Sequence, residues 1–306
     1  MNAYWHNVLE SCTLCPRNCR VNRRNGQIGY CHETADLSAS RASLHMWEEP
    51  CLSGKEGAGT VFFTGCNLRC IYCQNAEIAD GNHGTHITPE RLAEIFLELQ
   101  DQKANNIDLV TPTHLTPMIA EAIILAKKQG LTIPVVYNCG GYENTETLRH
   151  LEGLIDIWMP DMKYGENDLA HKLSGASDYV EVSRKALTEM IRQQPTPVFD
   201  ERGILQKGVL VRHLVLPGHL KNSQKVLDWL WENVSNHIWL SLMSQYTPLR
   251  AFPNTPELER RITKREYEKI ISYTLNLGFT NAYIQDREVA KESFIPAFDL
   301  TGIFHK

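Results

Sequence analysis

The sequence predicts an α/β fold, a partial (β/α)6 TIM-like barrel that follows a Cys-rich amino-terminal extension. From about residue 58 onward, short apolar runs alternate with amphipathic stretches, the pattern expected of strands and helices in turn. Such alternation implies parallel strands joined by right-handed crossovers. The chain carries about six of these units, fewer than the eight that close a complete TIM barrel. The first 57 residues do not alternate and are rich in Cys, Arg, Asn and Gly.

Apolar runs of four to eight residues mark the strands. The strands predicted in this way are 60–64, 107–111, 133–138, 155–159, 209–216 and 238–243, with 281–285 as a further short strand. In barrels of this class the active site lies at the carboxyl ends of the strands. The loop that follows the first strand therefore falls at the expected active-site face.

Capping residues mark where the helices begin. Thr88 is placed to cap a helix with Pro89 in its first position, and Ser223 to cap a helix after the fifth strand. Thr263 and Glu266 have the spacing of a capping box. The predicted helices begin at 88, 117, 144, 223 and 263, and one or two more fill 166–194.

The composition is that of an ordinary globular protein. Of 306 residues, 42% are hydrophobic and 22% charged, and 31 basic against 36 acidic residues give a net charge of −5. This balance carries no strong signal of nucleic-acid binding. The longest uncharged stretch, 233–249, is too polar for a membrane span, and the first ten residues lack the apolar segment of a secretory signal. We therefore expect a cytoplasmic protein.

The most informative motif is the C-x3-C-x2-C of Cys66, Cys70 and Cys73. Three thiolates within eight residues can hold three corners of a [4Fe–4S] cluster and leave one iron open to a substrate or cofactor. The alternative is a zinc site with a distant fourth ligand. A zinc knuckle usually has two close pairs of ligands, which this loop lacks. Within the loop, Tyr72 is placed to face a purine, and Asn75 offers an amide to a ribose hydroxyl.

This loop, placed after the first strand, resembles that of the radical SAM superfamily, and the chain is similar to pyruvate formate-lyase activating enzymes and their uncharacterised relatives. The resemblance covers roughly residues 58–285. It implies a radical SAM barrel whose open iron chelates S-adenosylmethionine. One electron from the reduced cluster then yields a 5′-deoxyadenosyl radical that abstracts hydrogen from the substrate. It also implies a low-potential electron donor such as flavodoxin or ferredoxin.

The same resemblance suggests further cofactor contacts. Lys163, in a D-x-K motif with Asp161, matches a lysine that meets the cofactor carboxylate. The alternative is a surface ion pair, but this strand end faces the expected active site, which favours the cofactor role. Arg212 matches another cofactor-contacting residue, and Tyr246 aligns with a residue that contacts the ribose. The predicted cofactor-binding residues are Tyr72, Asn75, Asp161, Lys163, Arg212 and Tyr246.

Two positions depart from the family pattern. Asn138, with Met159, falls where some activating enzymes hold a monovalent cation, but the expected residue there is Asp. The segment after the second strand, which often reads G-G-E-P, here contains Thr113 and His114. Either side chain could offer a polar contact, although a lone His is more often structural.

The amino-terminal cysteines Cys12, Cys15, Cys19 and Cys31 form a second candidate metal site. Four thiolates suit either zinc or an auxiliary iron–sulfur cluster, and a third possibility is that some remain free. Either metal would staple an extension too short to bury its own core. Accordingly, we predict a metal-binding extension over 1–57, the barrel over 58–290 and a tail over 291–306. Cys51 and Cys139 are expected to be buried apolar residues.

Two classes of function remain. The first is a radical SAM enzyme, in its most specific form an activase that installs a glycyl radical on a partner enzyme, with modification of RNA or a small molecule as further forms. The second is a non-enzymatic zinc-bound adaptor, which the net charge and the strand–helix units disfavour. The sequence does not name the substrate.

Overall fold

The structure is a computed structural model that describes residues 3–285 and 296–305. Its strands are β1 (Leu37–His45), β2 (Ala58–Phe63), β3 (Thr85–Ile87), β4 (Ile107–Val110), β5 (Val135–Cys139), β6 (Ile157–Pro160), β7 (Val198–Phe199), β8 (Leu205–Leu214), β9 (Trp239–Met243) and β10 (Ala282–Ile284). Its α-helices are α1 (Ala3–Glu10), α2 (Pro50–Ser53), α3 (Ala76–Ala79), α4 (Pro89–Asp101), α5 (Thr116–Lys128), α6 (Thr145–Arg149), α7 (Asn167–Ser174), α8 (Tyr179–Gln193), α9 (Leu220–Val234) and α10 (Lys264–Leu277).

One mixed sheet forms the barrel wall, in the order β10-β9-β8-β6-β5-β4-β2-β1-β3, with β7 beside β8. The strands from β2 to β10 along this order are parallel. Helices alternate with them, so the predicted α/β partial barrel is confirmed. Every residue of β2, β4, β5 and β6 is buried, because helices cover the outside of a parallel sheet and side chains fill its inside.

Side-chain caps mark the starts of α4, α6 and α10. Thr88 accepts a hydrogen bond from the Arg91 amide, and Thr263 and Glu266 form the predicted capping box. The prediction that Ser223 caps a helix is wrong, since α9 begins at Leu220. Ser223 lies inside the first turn, with its buried hydroxyl 2.9 Å from Nε2 of His213. The hydroxyl therefore contacts His213 on β8 and not a backbone amide of the helix, a tertiary contact that the sequence pattern does not reveal.

The amino-terminal segment joins the barrel more closely than its composition suggests. β1 pairs antiparallel with β2 and also with β3, so it extends the sheet on that side. Helix α1 buries Trp5, Val8 and Leu9 in the main hydrophobic core. The proposed boundary at residue 57 stays a prediction, and the one at residue 290 lies outside the described residues. Among the described residues, no helix has the length and apolarity that crossing a membrane requires.

Candidate cluster and cofactor site

A cavity of about 590 Å³ occupies the barrel interior. The cysteine loop, which follows β2 at the carboxyl ends of the parallel strands, forms one part of its wall. The loop 46–50 forms another part and lies near the amino ends of the strands, because His45 pairs with Ala58, the first residue of β2. The cavity therefore runs along the barrel interior between its two edges.

The cysteine loop presents all three of its thiols to this cavity. Cys66, Cys70 and Cys73 each line it. The loop turns sharply at Gly65, whose φ is +78°, and a Cβ added there would lie 2.6 Å from the Cys31 carbonyl oxygen. Only glycine accommodates both this conformation and this close approach. The Cys66 amide also donates to the same carbonyl at 3.3 Å, so the backbone fixes where the first thiol points.

The three thiols influence one another electrostatically. Burial raises the pKa of Cys66, and the neighbouring Cys70 raises it further. Burial, with Cys70 and Cys66 beside it, raises the pKa of Cys73 to about 12. The Ser174 hydroxyl donates to Cys70 Sγ at 2.9 Å. Three thiols so close together ionise readily only when a strongly positive group binds among them.

This arrangement fits a cluster better than a single ion. A tetrahedral zinc ion gathers its ligands into one tight shell, and in residues 3–285 and 296–305 no group of three or more His, Cys, Asp or Glu is gathered in that way. A cubane binds each thiolate to a different iron, so it tolerates a wider spacing. The donor set, three thiols and no fourth protein ligand in the loop, suits a cluster with one open iron.

Charged side chains face the loop from the neighbouring strands. Asp161 Oδ2 lies 2.5 Å from Lys163 Nζ, and its Oδ1 accepts from Arg212 Nε at 3.2 Å. Burial alone would raise the pKa of Asp161, but Lys163 and Arg212 outweigh it and hold the pKa below its usual value. Burial disfavours the charged Lys163, yet Asp161 and Cys70 raise its pKa well above the ordinary value. Lys163 is thus a cation at the edge of the thiol cluster.

Arg212 ties this pair to the opposite wall of the cavity. Its Nη1 lies 3.3 Å from Glu48 Oε2, and its Nη2 donates to Asn138 Oδ1 at 2.8 Å. All three side chains line the cavity. Each of the three guanidinium nitrogens of Arg212 therefore already has a protein partner.

The remaining predicted cofactor residues also lie on the cavity. Asn75 Oδ1 is buried and has no hydrogen-bond partner, so the site holds an unused acceptor beside Cys73. Tyr72 exposes its ring to the cavity and shares a hydrogen bond of 3.0 Å with the Tyr164 hydroxyl. The Tyr246 hydroxyl donates to the Leu258 carbonyl, so Tyr246 offers the cavity its ring. All six residues thus surround one space, and their cofactor roles stay predictions.

His114, Thr113 and Met159, which the sequence analysis singled out as near departures from the family pattern, make structural contacts. His114 is buried, its Nε2 lies 2.6 Å from the Thr64 carbonyl oxygen, and burial with nearby Arg23 lowers its pKa to about 3. It is a neutral donor that fixes the residue before Gly65. Thr113 donates to Glu143 at 2.7 Å. Met159 packs in a small apolar cluster.

The two cysteines outside the motifs are both buried, as expected. Cys51 belongs to the same apolar cluster as Met159, and Cys139 to the main core. Cys139 additionally lines the cavity. Burial and the neighbouring Glu143 raise the pKa of its thiol well above the ordinary value.

Sequence reasoning missed the acidic residues of the cavity. Glu48 and Glu49 line it, and Asp108 lies behind Asn138, whose amide is 3.4 Å from the Asp108 carboxylate. One signal was available, because a carboxylate within the otherwise apolar strand 107–111 needs a buried partner or a cavity. The adjacent acidic residues before Pro50 carried no recognisable pattern.

The amino-terminal cysteines converge near the cysteine loop. A Cβ added at Gly29 would lie within 3.7 Å of the sulfurs of both Cys31 and Cys19. Burial raises the pKa of Cys15, and the nearby Cys31 and Cys12 add to this effect. Arg17 links the two regions, since its Nε donates to the Asn67 carbonyl at 2.8 Å. The four thiols thus lie in one region, although within the described residues they are not gathered into a tight single-ion shell, and their metal-binding role stays a prediction.

Comparison with known proteins places this geometry in a family. The sequence profile of the Radical SAM superfamily matches residues 60–230. An uncharacterised protein of Methanocaldococcus jannaschii is 30% identical over 286 residues, which cover 89% of this chain and 77% of that protein. A pyruvate formate-lyase-activating enzyme of Clostridium pasteurianum is 29% identical over 138 residues, which cover 41% of this chain and 54% of the enzyme.

Solved structures share the fold at low sequence identity. A radical SAM methyltransferase from Sphaerobacter thermophilus superposes with a TM-score of 0.51 at 13% identity, covering 74% of this chain and 66% of the methyltransferase. Methylornithine synthase gives a TM-score of 0.51 at 16% identity, covering 72% of this chain and 60% of the synthase. These similarities support the same partial-barrel architecture.

Proposed function

Because this chain belongs to the radical SAM superfamily and is an enzyme of that class, we propose that Cys66, Cys70 and Cys73 hold its [4Fe–4S] cluster. The same proposal has the barrel cavity bind S-adenosylmethionine beside them. The observation that carries it is the convergence of three thiols on a cavity that also contains the Lys163 ammonium. When bound, the cluster and S-adenosylmethionine supply one-electron cleavage of the cofactor and, from it, hydrogen abstraction.

The side chains around the thiols bind and orient the cofactor. Lys163 provides a charge-assisted donor for its carboxylate, and Asp161 keeps that ammonium charged and in place. The unpartnered Oδ1 of Asn75 accepts from a cofactor hydroxyl or amine. The rings of Tyr72 and Tyr246 pack edge to face, 6.3 Å apart, and give the adenine an apolar, water-excluding wall.

Anaerobic reconstitution with iron and sulfide tests the proposal. We expect about four irons bound through the Cys66 loop and formation of 5′-deoxyadenosine after reduction. Reduction by dithionite and by flavodoxin or ferredoxin, compared in parallel, tests the proposed protein electron donor. A reduced, iron-loaded protein that leaves S-adenosylmethionine intact would refute the proposed activity.

Replacing Lys163 with methionine is expected to weaken S-adenosylmethionine binding while iron content stays unchanged. A hydrogen bond to a charged group contributes about 1.5–3 kcal/mol, so the dissociation constant should rise about 10- to 100-fold. Equilibrium binding to the reconstituted variant measures this. Lys225→Met is the matched control, because Lys225 also pairs with a carboxylate, that of Glu166, but on the exposed surface. Equal affinities of the two variants would remove Lys163 from the cofactor site.

Activation of a glycyl-radical enzyme is the more specific form of this proposal. The similarity to the pyruvate formate-lyase-activating enzyme supports it, although that similarity covers 41% of this chain. Incubation of the reduced enzyme and S-adenosylmethionine with candidate partners should produce the EPR doublet of a glycyl radical. Deuterium transfer into 5′-deoxyadenosine extends the search to RNA and small molecules. A zinc-bound adaptor no longer accounts for the chain, since it belongs to a superfamily of enzymes.

The amino-terminal cysteines are proposed as a second metal site. The proximity of these thiols supports it, since the sulfurs of Cys19 and Cys31 flank Gly29, and Cys12 and Cys15 lie close enough to Cys31 to interact with it. Burial raises the pKa of Cys15 and Cys31, so both would be neutral thiols without a bound metal. The neighbouring Arg23 guanidinium offsets part of the negative charge at Cys31. The ratio of iron to zinc in anaerobically purified protein distinguishes an auxiliary cluster from a structural zinc ion.

A further inference from the structure

The part of the cavity farthest from the cysteine loop is acidic. Loop 46–50 forms this part, and it lies at the amino ends of the strands, where the Asn106 amide before β4 donates to the Leu52 carbonyl at 3.0 Å. Trp47 lines the cavity and is 59% exposed. The cavity therefore reaches solvent on this side, which is the edge opposite the thiols.

Carboxyl groups outnumber cations around this region. We define the acidic wall as Glu48, Glu49 and Asp108. Among the described residues, Arg212 is a cation that interacts with all three of these carboxyl groups, and it also forms an ion pair with Asp161. His45 adds little positive charge, because burial and the nearby Arg41 and Arg212 lower its pKa. Burial raises the pKa of all three carboxyl groups, and neighbouring acidic groups raise it further, so a cation bound beside them would favour their ionised forms.

Two oxygens of the acidic wall have no hydrogen-bond partner. Glu49 is 9% exposed and lines the cavity, and its Oε2 is buried and unpaired. Asp108 is fully buried, and its Oδ1 is also unpaired. A buried carboxyl oxygen without a partner loses the hydrogen bonds that water would supply, so it is unfavourable unless a ligand binds there. Natural proteins keep such groups where a ligand or reaction uses them.

The cofactor does not account for this charge in the proposed site. Its proposed contacts, Lys163 and Asn75, lie on or beside the thiol loop at the carboxyl ends of the strands, whereas Glu48 and Glu49 precede β2 and lie near its amino end. Arg212 stands between the two regions, with Asp161 on one side and Glu48 on the other. The acidic wall is therefore placed to face the second molecule in the cavity, the substrate.

We propose that the acidic wall binds a cationic group of the substrate, an ammonium or guanidinium. This inference rests on the proposed function, in which the cavity is the reaction chamber. The unpaired oxygen of Glu49, which lines the cavity, supplies an acceptor for an N–H donor, and Glu48 adds a second carboxyl group beside it. Trp47, at the open end, adds an aromatic face that attracts a cation. The cation could belong to a small amine or to a Lys or Arg side chain of a protein substrate.

Ligand-detected NMR on the reconstituted enzyme with S-adenosylmethionine tests this. The probes are n-butylammonium and methylguanidinium, with N-methylurea as the neutral match, and N-acetyl-lysinamide represents a peptide source. We expect the cations to bind more tightly than N-methylurea. Glu49→Gln should weaken cation binding about tenfold, the loss of one charge-assisted hydrogen bond. Asp108→Asn, which changes a carboxyl group behind Asn138 and outside the cavity lining, should weaken cation binding less. Glu201→Gln, an exposed carboxylate outside the cavity lining, should bind like the wild type.

Either cation source would support the proposal, and their relative affinities identify which one fits. Equal binding of cations and N-methylurea by the wild type would overturn it, as would undiminished cation binding by Glu49→Gln. Circular-dichroism melting verifies that the variants are folded. The 5′-deoxyadenosine assay on the same samples separates the outcomes: cleavage without cation preference refutes only this inference, whereas cation binding without cleavage refutes the proposed activity.

Discussion

Replacing Cys70 with alanine is expected to abolish cleavage of S-adenosylmethionine. Cys70 is the middle thiol of the loop, 8% exposed, and it influences the ionisation of both Cys66 and Cys73. Two remaining thiolates leave a second iron of the cubane without a protein ligand, so the cluster should not survive purification. Iron content and 5′-deoxyadenosine formation after anaerobic reconstitution measure the effect, which should reduce the product to the background of the assay.

Cys51→Ala is the matched control for this variant. Cys51 is also buried, at 1% exposure, but it packs among apolar side chains. Its loss should leave the iron at the cysteine loop and the product yield close to wild type, with a modest cost in stability from the small cavity. Wild-type cleavage by Cys70→Ala, or loss of iron in Cys51→Ala alone, would contradict the assignment of the cluster ligands.

Replacing Arg212 with methionine is expected to destabilise the fold strongly. Arg212 contacts Glu48, Asp161 and Asn138 in the barrel interior, and its own side chain is 16% exposed. Removing one partner of a buried ion pair costs about 3–5 kcal/mol, because the remaining carboxylates lose their compensating charge. The midpoint of urea unfolding should fall accordingly, and part of the loss should return in the double variant with Asp161→Asn.

Arg202→Met provides the comparison on the surface. Arg202 likewise contacts two carboxylates, Asp200 and Glu56, but its side chain is 55% exposed. Exposed pairs of this kind contribute about 0–1 kcal/mol, so this variant should unfold close to the wild-type midpoint. If both variants unfolded at the same urea concentration, the buried charge network around Arg212 would not be a determinant of stability.

Local patterns in the sequence were sufficient for the parallel core. The apolar runs at 60–64 and 107–111 are β2 and β4, and the capping box at Thr263 is present. Each of these signals depends on residues that are neighbours in the chain. Strand β1 escaped prediction because its sequence, LSASRASLH, is rich in small polar residues, and its strand conformation depends on pairing with β2 and β3.

The site was predictable only where its residues share a motif. Cys66, Cys70 and Cys73 lie within one loop, and Asp161 and Lys163 follow one strand, so spacing alone grouped each set. Glu48 contacts Arg212 across 164 residues of chain, a separation at which one sequence gives no signal. The sequence likewise gives no signal that the Tyr246 hydroxyl donates a hydrogen bond to the Leu258 carbonyl.

Mössbauer spectroscopy of 57Fe-reconstituted protein, with and without S-adenosylmethionine, is the most direct test of the central claim that the cysteine loop holds a cubane with one open iron. We predict a [4Fe–4S] signal in which one iron in four shifts when S-adenosylmethionine is added. That component should vanish in the variant with alanine at positions 66, 70 and 73, even if the amino-terminal cysteines bind iron. A wild-type spectrum that lacks a cubane, or one that S-adenosylmethionine leaves unchanged, would contradict the account.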